Sequence, residues 1–178
     1  MPSNIEIKAR VKNFEVLKRK IEDLYKINAE EIFQVDTFFK IENCRLKLRV
    51  FSNTKGELIY YLRNNYAGPK RSDYYIYKTD NPEELKKLLE MSLGIHGVVR
   101  KKRLLFLVDN TRIHLDEVEN LGSFIELEVV LSPGQTETEG KLIAAKFMKD
   151  LNIQENDLID IAYIELLEKQ NLERKLND

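Results

Sequence analysis

Residues 4–10 read Asn4-Ile5-Glu6-Ile7-Lys8-Ala9-Arg10. Polar and apolar residues alternate without a break, the period-two pattern of a strand with two unlike faces. One face carries Ile5, Ile7 and Ala9. The other carries Asn4, Glu6, Lys8 and Arg10, an acid and two bases in a row. The fold turns on whether that second face meets bulk water or looks inward on a charged ligand.

The same split recurs along the chain. Arg45, Lys47 and Arg49 share a side in "CRLKLRV", against Leu46 and Leu48. Tyr61 and Arg63 share one in "LIYYLR", and Lys101 and Arg103 one in "VVRKKRLLF". Arg112, His114 and Asp116 oppose Ile113 and Leu115; Glu126 and Glu128 oppose Ile125, Leu127 and Val129. Two arrangements accommodate the pattern. An open antiparallel sheet places one face in water and the other under helices. A closed barrel turns the ionised faces into a lumen and covers its apolar exterior with helices. Residue choice favours the barrel, because a wet face is better served by Thr, Ser and Gln, and like charges on neighbouring strands repel. The candidate lumen holds nine bases (Lys8, Arg10, Arg45, Lys47, Arg49, Arg63, Lys101, Arg103, Arg112) and four acids (Glu6, Asp116, Glu126, Glu128). Such a lumen calls for a polyanion, and its grouped carboxylates suit a hard divalent cation.

The remaining punctuation gives an α+β chain. Asn13 caps a helix with Phe14, Leu17, Ile21 and Leu24 at helical spacing. "FQVDTFF" and "SDYYIYKT" read as further strands. "DNPEELKKLLEMSLG" is a helix with Pro82 in its first turn and Gly94 beyond its end. "DNT" joins two long strands as a hairpin. Pro133 and Gly134 end the last strand, and helices are expected over 136–151 and 157–168, leaving 169–178 as a solvated tail. Strands outnumber helices, and their short connections suit antiparallel neighbours.

Composition limits the function classes. With 178 residues, 43% hydrophobic and 33% charged, the chain suits one domain with a sizeable core, here taken as residues 1–168. The net charge of −1 gives no general attraction for nucleic acid or an anionic membrane. Cys44 is alone, which excludes an internal disulfide or a thiolate metal cluster. No apolar run approaches a membrane span, and a cytoplasmic location is expected.

The order of these motifs resembles the CYTH, or triphosphate tunnel metalloenzyme, superfamily, which includes class IV adenylate cyclases and thiamine triphosphatases. "NIEIK" stands where the family has Glu-x-Glu-x-Lys. The similarity continues through "QVDTFF", "RLKLRV", "KKR", "HLDEVENLGSFIELEV" and the closing helices, and is greatest to the class IV cyclase branch. The resemblance implies a closed antiparallel eight-stranded β-barrel, a triphosphate tunnel with helices packed outside. It implies binding of a triphosphate with Mg²⁺ or Mn²⁺. The expected activity is conversion of ATP to cyclic AMP and pyrophosphate; the alternative is hydrolysis of tripolyphosphate or an organic triphosphate such as thiamine triphosphate. The expected partner is that small molecule, with no nucleic acid, no membrane and a homodimer as a candidate assembly.

By the same resemblance, Glu6, Glu126, Glu128 and Asp116 are metal-facing. Lys8, Arg49, Lys101 and Arg103 grip phosphate, with Lys8, Lys101 and Arg103 nearest the chemistry. Arg10, Arg45, Lys47, Arg63 and Arg112 join the substrate-binding set by strand phase. Lys70 and Arg71 in "GPKRSDY" are placed either at the tunnel mouth or in solvent. His114 is either a phosphate contact or a packed lumen residue. Tyr60, Tyr61, Tyr74 and Tyr75 are ordinary strand residues, unless one stacks on a base. The first hallmark glutamate is replaced by Asn4, which keeps a carbonyl oxygen and loses the charge. That departure leaves open one-metal chemistry, a weakened enzyme or a non-catalytic triphosphate-binding module. A sheet face that docks an acidic protein partner is the remaining alternative.

Overall fold

A computed structural model describes residues 2–63 and 65–177. Asp178, the last residue of the expected tail, lies outside the described residues. Eight strands run β1 (Ser3–Arg10), β2 (Glu30–Phe39), β3 (Arg45–Ser52), β4 (Lys55–Arg63), β5 (Lys70–Thr79), β6 (Ile95–Val108), β7 (Thr111–Val118) and β8 (Gly122–Val130). They close into a barrel in the order β1-β5-β4-β3-β2-β6-β7-β8, with every pairing antiparallel. Closure decides between the two arrangements: the ionised faces line a lumen. Every strand then has two hydrogen-bonded neighbours, which removes the exposed edges an open sheet would have to protect.

The apolar faces meet helices. α1 (Phe14–Tyr25) starts at Asn13, whose side chain accepts a hydrogen bond from the Val16 amide. α3 (Glu137–Asp150) starts at a Thr136–Glu139 capping box. Ile7, Ala9, Leu104, Phe106, Ile113, Leu115, Ile125 and Leu127 form the main core outside the barrel wall, with Ile21 from α1 and Phe147 from α3. α2 (Pro82–Leu93) covers a corner over β2, β3 and β4. No helix of the described residues is long and apolar enough to cross a membrane.

The end of the chain differs from the sequence pattern. The expected helix over 157–168 starts later, and α4 spans Tyr163–Asn177. Residues 155–157 make one 3₁₀ turn. The next residues run extended across one end of the barrel, where Leu158 bridges Ala9 and the Ile159 amide donates to the Lys8 carbonyl at 2.8 Å. This tertiary bonding outweighs the local helical signal. The start of α4 then seats Ile164 on Gly97 of β6, where a Cβ would collide with the Ile164 side chain. Phe38, Val99, Phe124, Ala162 and Tyr163 pack together as an apolar plug in that end of the lumen.

Candidate functional site: a plugged cationic tunnel

The lumen contains a cavity of about 130 Å³. Seven bases line it: Lys8, Lys47, Arg49, Arg63, Lys101, Arg103 and Arg112. Four acids line it: Glu6, Asp36, Glu126 and Glu128. The strand ladder explains the convergence. Glu6 lies opposite Glu128, Lys8 opposite Glu126, and His114 opposite Glu126 from the other side. Directly opposed residues have Cβ atoms about 5 Å apart, so the carboxylates are forced into one another's company.

Two layers of charge can be told apart by how fully they are bonded. The deeper layer is saturated. Asp36, 2% exposed, accepts from Arg49 Nε (2.8 Å) and Nη2 (2.9 Å) and from Lys47 Nζ (2.9 Å). Asp116, fully buried, accepts from Arg103 Nε (2.7 Å) and Nη2 (2.6 Å) and from the Tyr163 hydroxyl (3.0 Å). Burial alone would raise both acids, but the cations facing them prevail. Arg49 and Lys47 hold Asp36 well below the usual carboxylate range, and Arg103 and Lys101 hold Asp116 at about 2.

The second layer is open. Arg103 Nη2 also donates to Glu126 Oε2 at 2.6 Å, and Lys8 Nζ lies 3.4 Å from Glu126 Oε1. Arg63 Nη1 donates to Glu6 Oε1 at 3.0 Å, and Arg112 Nη1 to Glu128 Oε2 at 3.1 Å. Several polar atoms here have no partner among the described residues: Arg63 Nε and Nη2, Asn4 Oδ1 and His114 Nδ1. A buried donor without an acceptor is costly, so Arg63 is set up to receive an anion. Burial pulls Lys8 down to about 8 and Lys47 to about 7, so an arriving anion would hold both in the charged form. Burial also pushes His114 down to about 4, which leaves its imidazole neutral at physiological pH.

The structure brings most of the sequence-selected residues together, but not all. Arg10 points away from the cavity, exposed, over the Phe124 ring. Arg45 lies beside a larger side cavity and pairs with Glu165 at 2.9 Å. Asp116 sits behind Arg103 and does not line the cavity. Lys70 does not line the cavity and does not enter solvent. It belongs to β5, is 1% exposed, and donates from Nζ to the carbonyls of Tyr66 (2.6 Å) and Asp160 (3.2 Å). Arg71 is exposed and donates to Asp73. Tyr61 and Tyr74 line the cavity; Tyr75 is exposed and Tyr60 faces away from the cavity with it.

Asp36 and Tyr163 were missed. Asp36 had a signal in hand, since it lies in phase with Gln34 and Phe38 on a strand that pairs with two basic ones. Tyr163 had none in the strand pattern. Its hydroxyl contacts Asp116, and its ring carries Lys8 Nζ at 4.0 Å and Lys101 Nζ at 5.1 Å from the centroid, so the plug also props up the lumen cations.

A CYTH domain matches residues 3–163. The chain belongs to the CYTH family. Its barrel resembles the PH1012 protein of Pyrococcus horikoshii OT3, with 30% sequence identity, 92% of this chain and 98% of that chain covered, and a TM-score of 0.81. It shares its fold with a Vibrio parahaemolyticus protein named as a candidate adenylate cyclase (19% identity, 93% and 97% covered, TM-score 0.75). It also shares it with HpAC1 of Hippeastrum, a candidate adenylyl cyclase described as having a dominant triphosphatase activity (14% identity, 96% of each chain covered, TM-score 0.65). No curated protein sequence matches the chain. As a CYTH protein it has a triphosphate tunnel fold, and that family is metal-dependent.

Proposed function

We propose that this CYTH protein is a metal-dependent triphosphatase that draws a polyphosphate chain into the tunnel and transfers its terminal phosphoryl group to water. The observation that carries this reading is the cavity itself. It has seven bases to four acids, two Arg63 donors without a partner among the described residues, and a volume of about 130 Å³. Pockets that enclose drug-sized ligands run to about 300 Å³ or more. Phosphate groups fit such a space; a whole nucleoside does not.

The residues present fit a divalent cation. Glu126 and Glu128 project from alternate positions of β8, and a buried imidazole nitrogen without a hydrogen-bond partner faces them. Glu126, Glu128 and Glu6 are the candidate holders, and a bound Mg²⁺ or Mn²⁺ would draw negative charge off the phosphate oxygens. The chain's own residues do the rest. Arg63, whose Nε and Nη2 have no partner among the described residues, grips phosphate oxygens. Lys8 and Lys101 place charge where it develops in the transition state. Arg103, fixed by Asp116 and Glu126, cannot swing, so its guanidinium is preorganised. Water attacks the terminal phosphorus as the bridging P–O bond breaks. The leaving pyrophosphate, or the diphosphate ester of an organic triphosphate, takes the electron pair, and the proton from water passes to solvent or to a phosphate oxygen.

One observation favours a second reading, cyclisation of ATP. A wider cavity of about 660 Å³ shares Phe38, Tyr61 and Arg63 with the tunnel and has room for a nucleoside. In that reaction the ribose 3′-hydroxyl attacks and pyrophosphate leaves. A substrate panel separates the two: tripolyphosphate, thiamine triphosphate, ATP and GTP, each with Mg²⁺ or Mn²⁺, with products followed by ³¹P NMR. Orthophosphate plus pyrophosphate from tripolyphosphate is the expected result. Cyclic AMP as the main product would overturn hydrolysis in favour of cyclisation. Binding without turnover of any substrate would make the tunnel a non-catalytic receptor.

A further inference from the structure

We infer that His114 is a direct ligand of the tunnel's divalent cation, which makes the centre a mixed nitrogen–oxygen site. The inference rests on the metal-dependent reading above and departs from an all-carboxylate site. His114 lies on β7, opposite Glu126 of β8, with Glu128 two residues further along the same face. Its Nδ1 is 3.9 Å from Glu126 Oε2 and 3.8 Å from Glu128 Oε1, and one ligand atom from each of the three lies within 4.8 Å of the others. Metal–ligand bonds of about 2.0–2.2 Å put neighbouring ligand atoms about 3 Å apart, so a small inward rotation of each side chain completes the set.

The nitrogen has no other occupation. His114 is 4% exposed, and its Nδ1 makes no hydrogen bond among the described residues. At 3.8–3.9 Å the carboxylates are too far to accept from it. A polar atom held this deep without a partner costs stability unless something else bonds it. The nearest carboxylate on β1 is differently placed: Glu6 gives Oε1 to Arg63 at 3.0 Å. Asn4, one step further along that face, supplies no charge. The imidazole therefore makes up a donor that β1 does not provide.

The identity of the donors determines which metal the site prefers. Carboxylate and water suit Mg²⁺, whereas imidazole suits the later transition ions, and Mn²⁺ accepts both. The site should therefore hold Mn²⁺ or Co²⁺ more tightly than Mg²⁺, and His114 should account for much of the difference.

The test is pulsed EPR on the whole protein loaded with Mn²⁺, beside titration calorimetry with Mn²⁺ and with Mg²⁺. The expected spectrum shows ¹⁴N modulation from one imidazole, and its frequencies change when the protein is made with ¹⁵N-histidine. That labelling involves no mutation and so no risk to folding. In His114→Gln the modulation disappears and Mn²⁺ affinity falls about tenfold or more, while Mg²⁺ affinity changes little. Bound Mn²⁺ without nitrogen modulation would overturn the inference and leave the metal-dependent reading standing. Failure of Mn²⁺ to bind at all would overturn both.

Discussion

Arg103 stands between two carboxylates that look alike in sequence and differ in the fold. On one side Asp116 is fully buried, with both oxygens taken by Arg103, Tyr163 and Lys101. On the other Glu126 shares Arg103 Nη2 but lines the cavity, together with Glu128. A saturated acid can only hold its partners in place. An acid with spare lone pairs in a cavity can bind something new. The deeper layer of Asp36 and Asp116 is therefore scaffold, and the β8 layer is where a ligand acts.

The largest effects should follow that division. Asp116→Ala leaves Arg103 and Lys101 as buried cations with too few partners. Breaking a buried pair in this way costs about 3–5 kcal/mol, so urea denaturation should show a large loss of stability. Glu126→Gln should cost clearly less stability than Asp116→Ala, because Arg103 keeps its two bonds to Asp116 and Lys8 keeps its bond to the Ile161 carbonyl. It should lower metal-dependent turnover by about a hundredfold or more. A folded, active Asp116→Ala, or an unfolded Glu126→Gln, would dissolve the distinction.

The sequence carried most of the barrel, because strand phase is a local property. The alternation in 4–10, 45–49 and 112–116 separated lumen from exterior, and closure followed from residue chemistry and family resemblance. It could not separate Asp116 from Glu126, since both share the inward phase and only side-chain depth divides them. Arg10 shows the limit of phase. It alternates correctly with Lys8, yet it sits at the end of β1, beyond the cavity, and bends over Phe124. Asp36 was passed over because its nearest in-phase neighbours, Gln34 and Phe38, carry no charge, and its value lies in Lys47 and Arg49 across the ladder. The plug was not legible at all. Residues 158–162 fall inside the expected helix, and the bridge to β1 and the hydrogen bonds from the Lys8 and Lys70 ammonium groups tie them to the barrel instead.

The next contrast lies among the cations. Lys47 titrates at about 7 and Lys8 at about 8, both lowered by burial, whereas the arginines stay charged. In the free protein the unfolded chain binds more protons than the folded one between about pH 7 and pH 10.5. Stability from these lysines therefore rises with pH through that window. Bound tripolyphosphate acts the other way, since it favours the charged lysines. Its affinity should fall about tenfold between pH 6 and pH 9, equivalent to about 1.4 kcal/mol, and binding at pH 8 should take up protons. Calorimetry in buffers of different ionisation enthalpy measures both. Lys47→Met should flatten the profile. An unchanged profile in that variant would assign the pH dependence to the ligand and not to the lumen.

The smallest effect concerns Asn4, and it returns to the strand that decided the fold. Asn4 is 5% exposed, lines the cavity and has a carbonyl oxygen without a partner among the described residues. It pairs with Ser72 of β5 and Val130 of β8, while Glu6 lies opposite Glu128. Two positions along a strand span about 6.6 Å, so a carboxylate at position 4 falls near the β8 acids without sharing the oxygen geometry of Glu6. Asn4→Glu adds negative charge to a group that already repels itself. A cation relieves that repulsion and a phosphate aggravates it. The Mn²⁺ concentration for half-maximal rate should fall about threefold, equivalent to about 0.65 kcal/mol, and tripolyphosphate binding without metal should weaken by a similar factor. Rates measured against Mn²⁺ for both proteins check it. Superimposable metal curves would place position 4 outside the working layer, with Asn4 joining Asp36 and Asp116 in the scaffold.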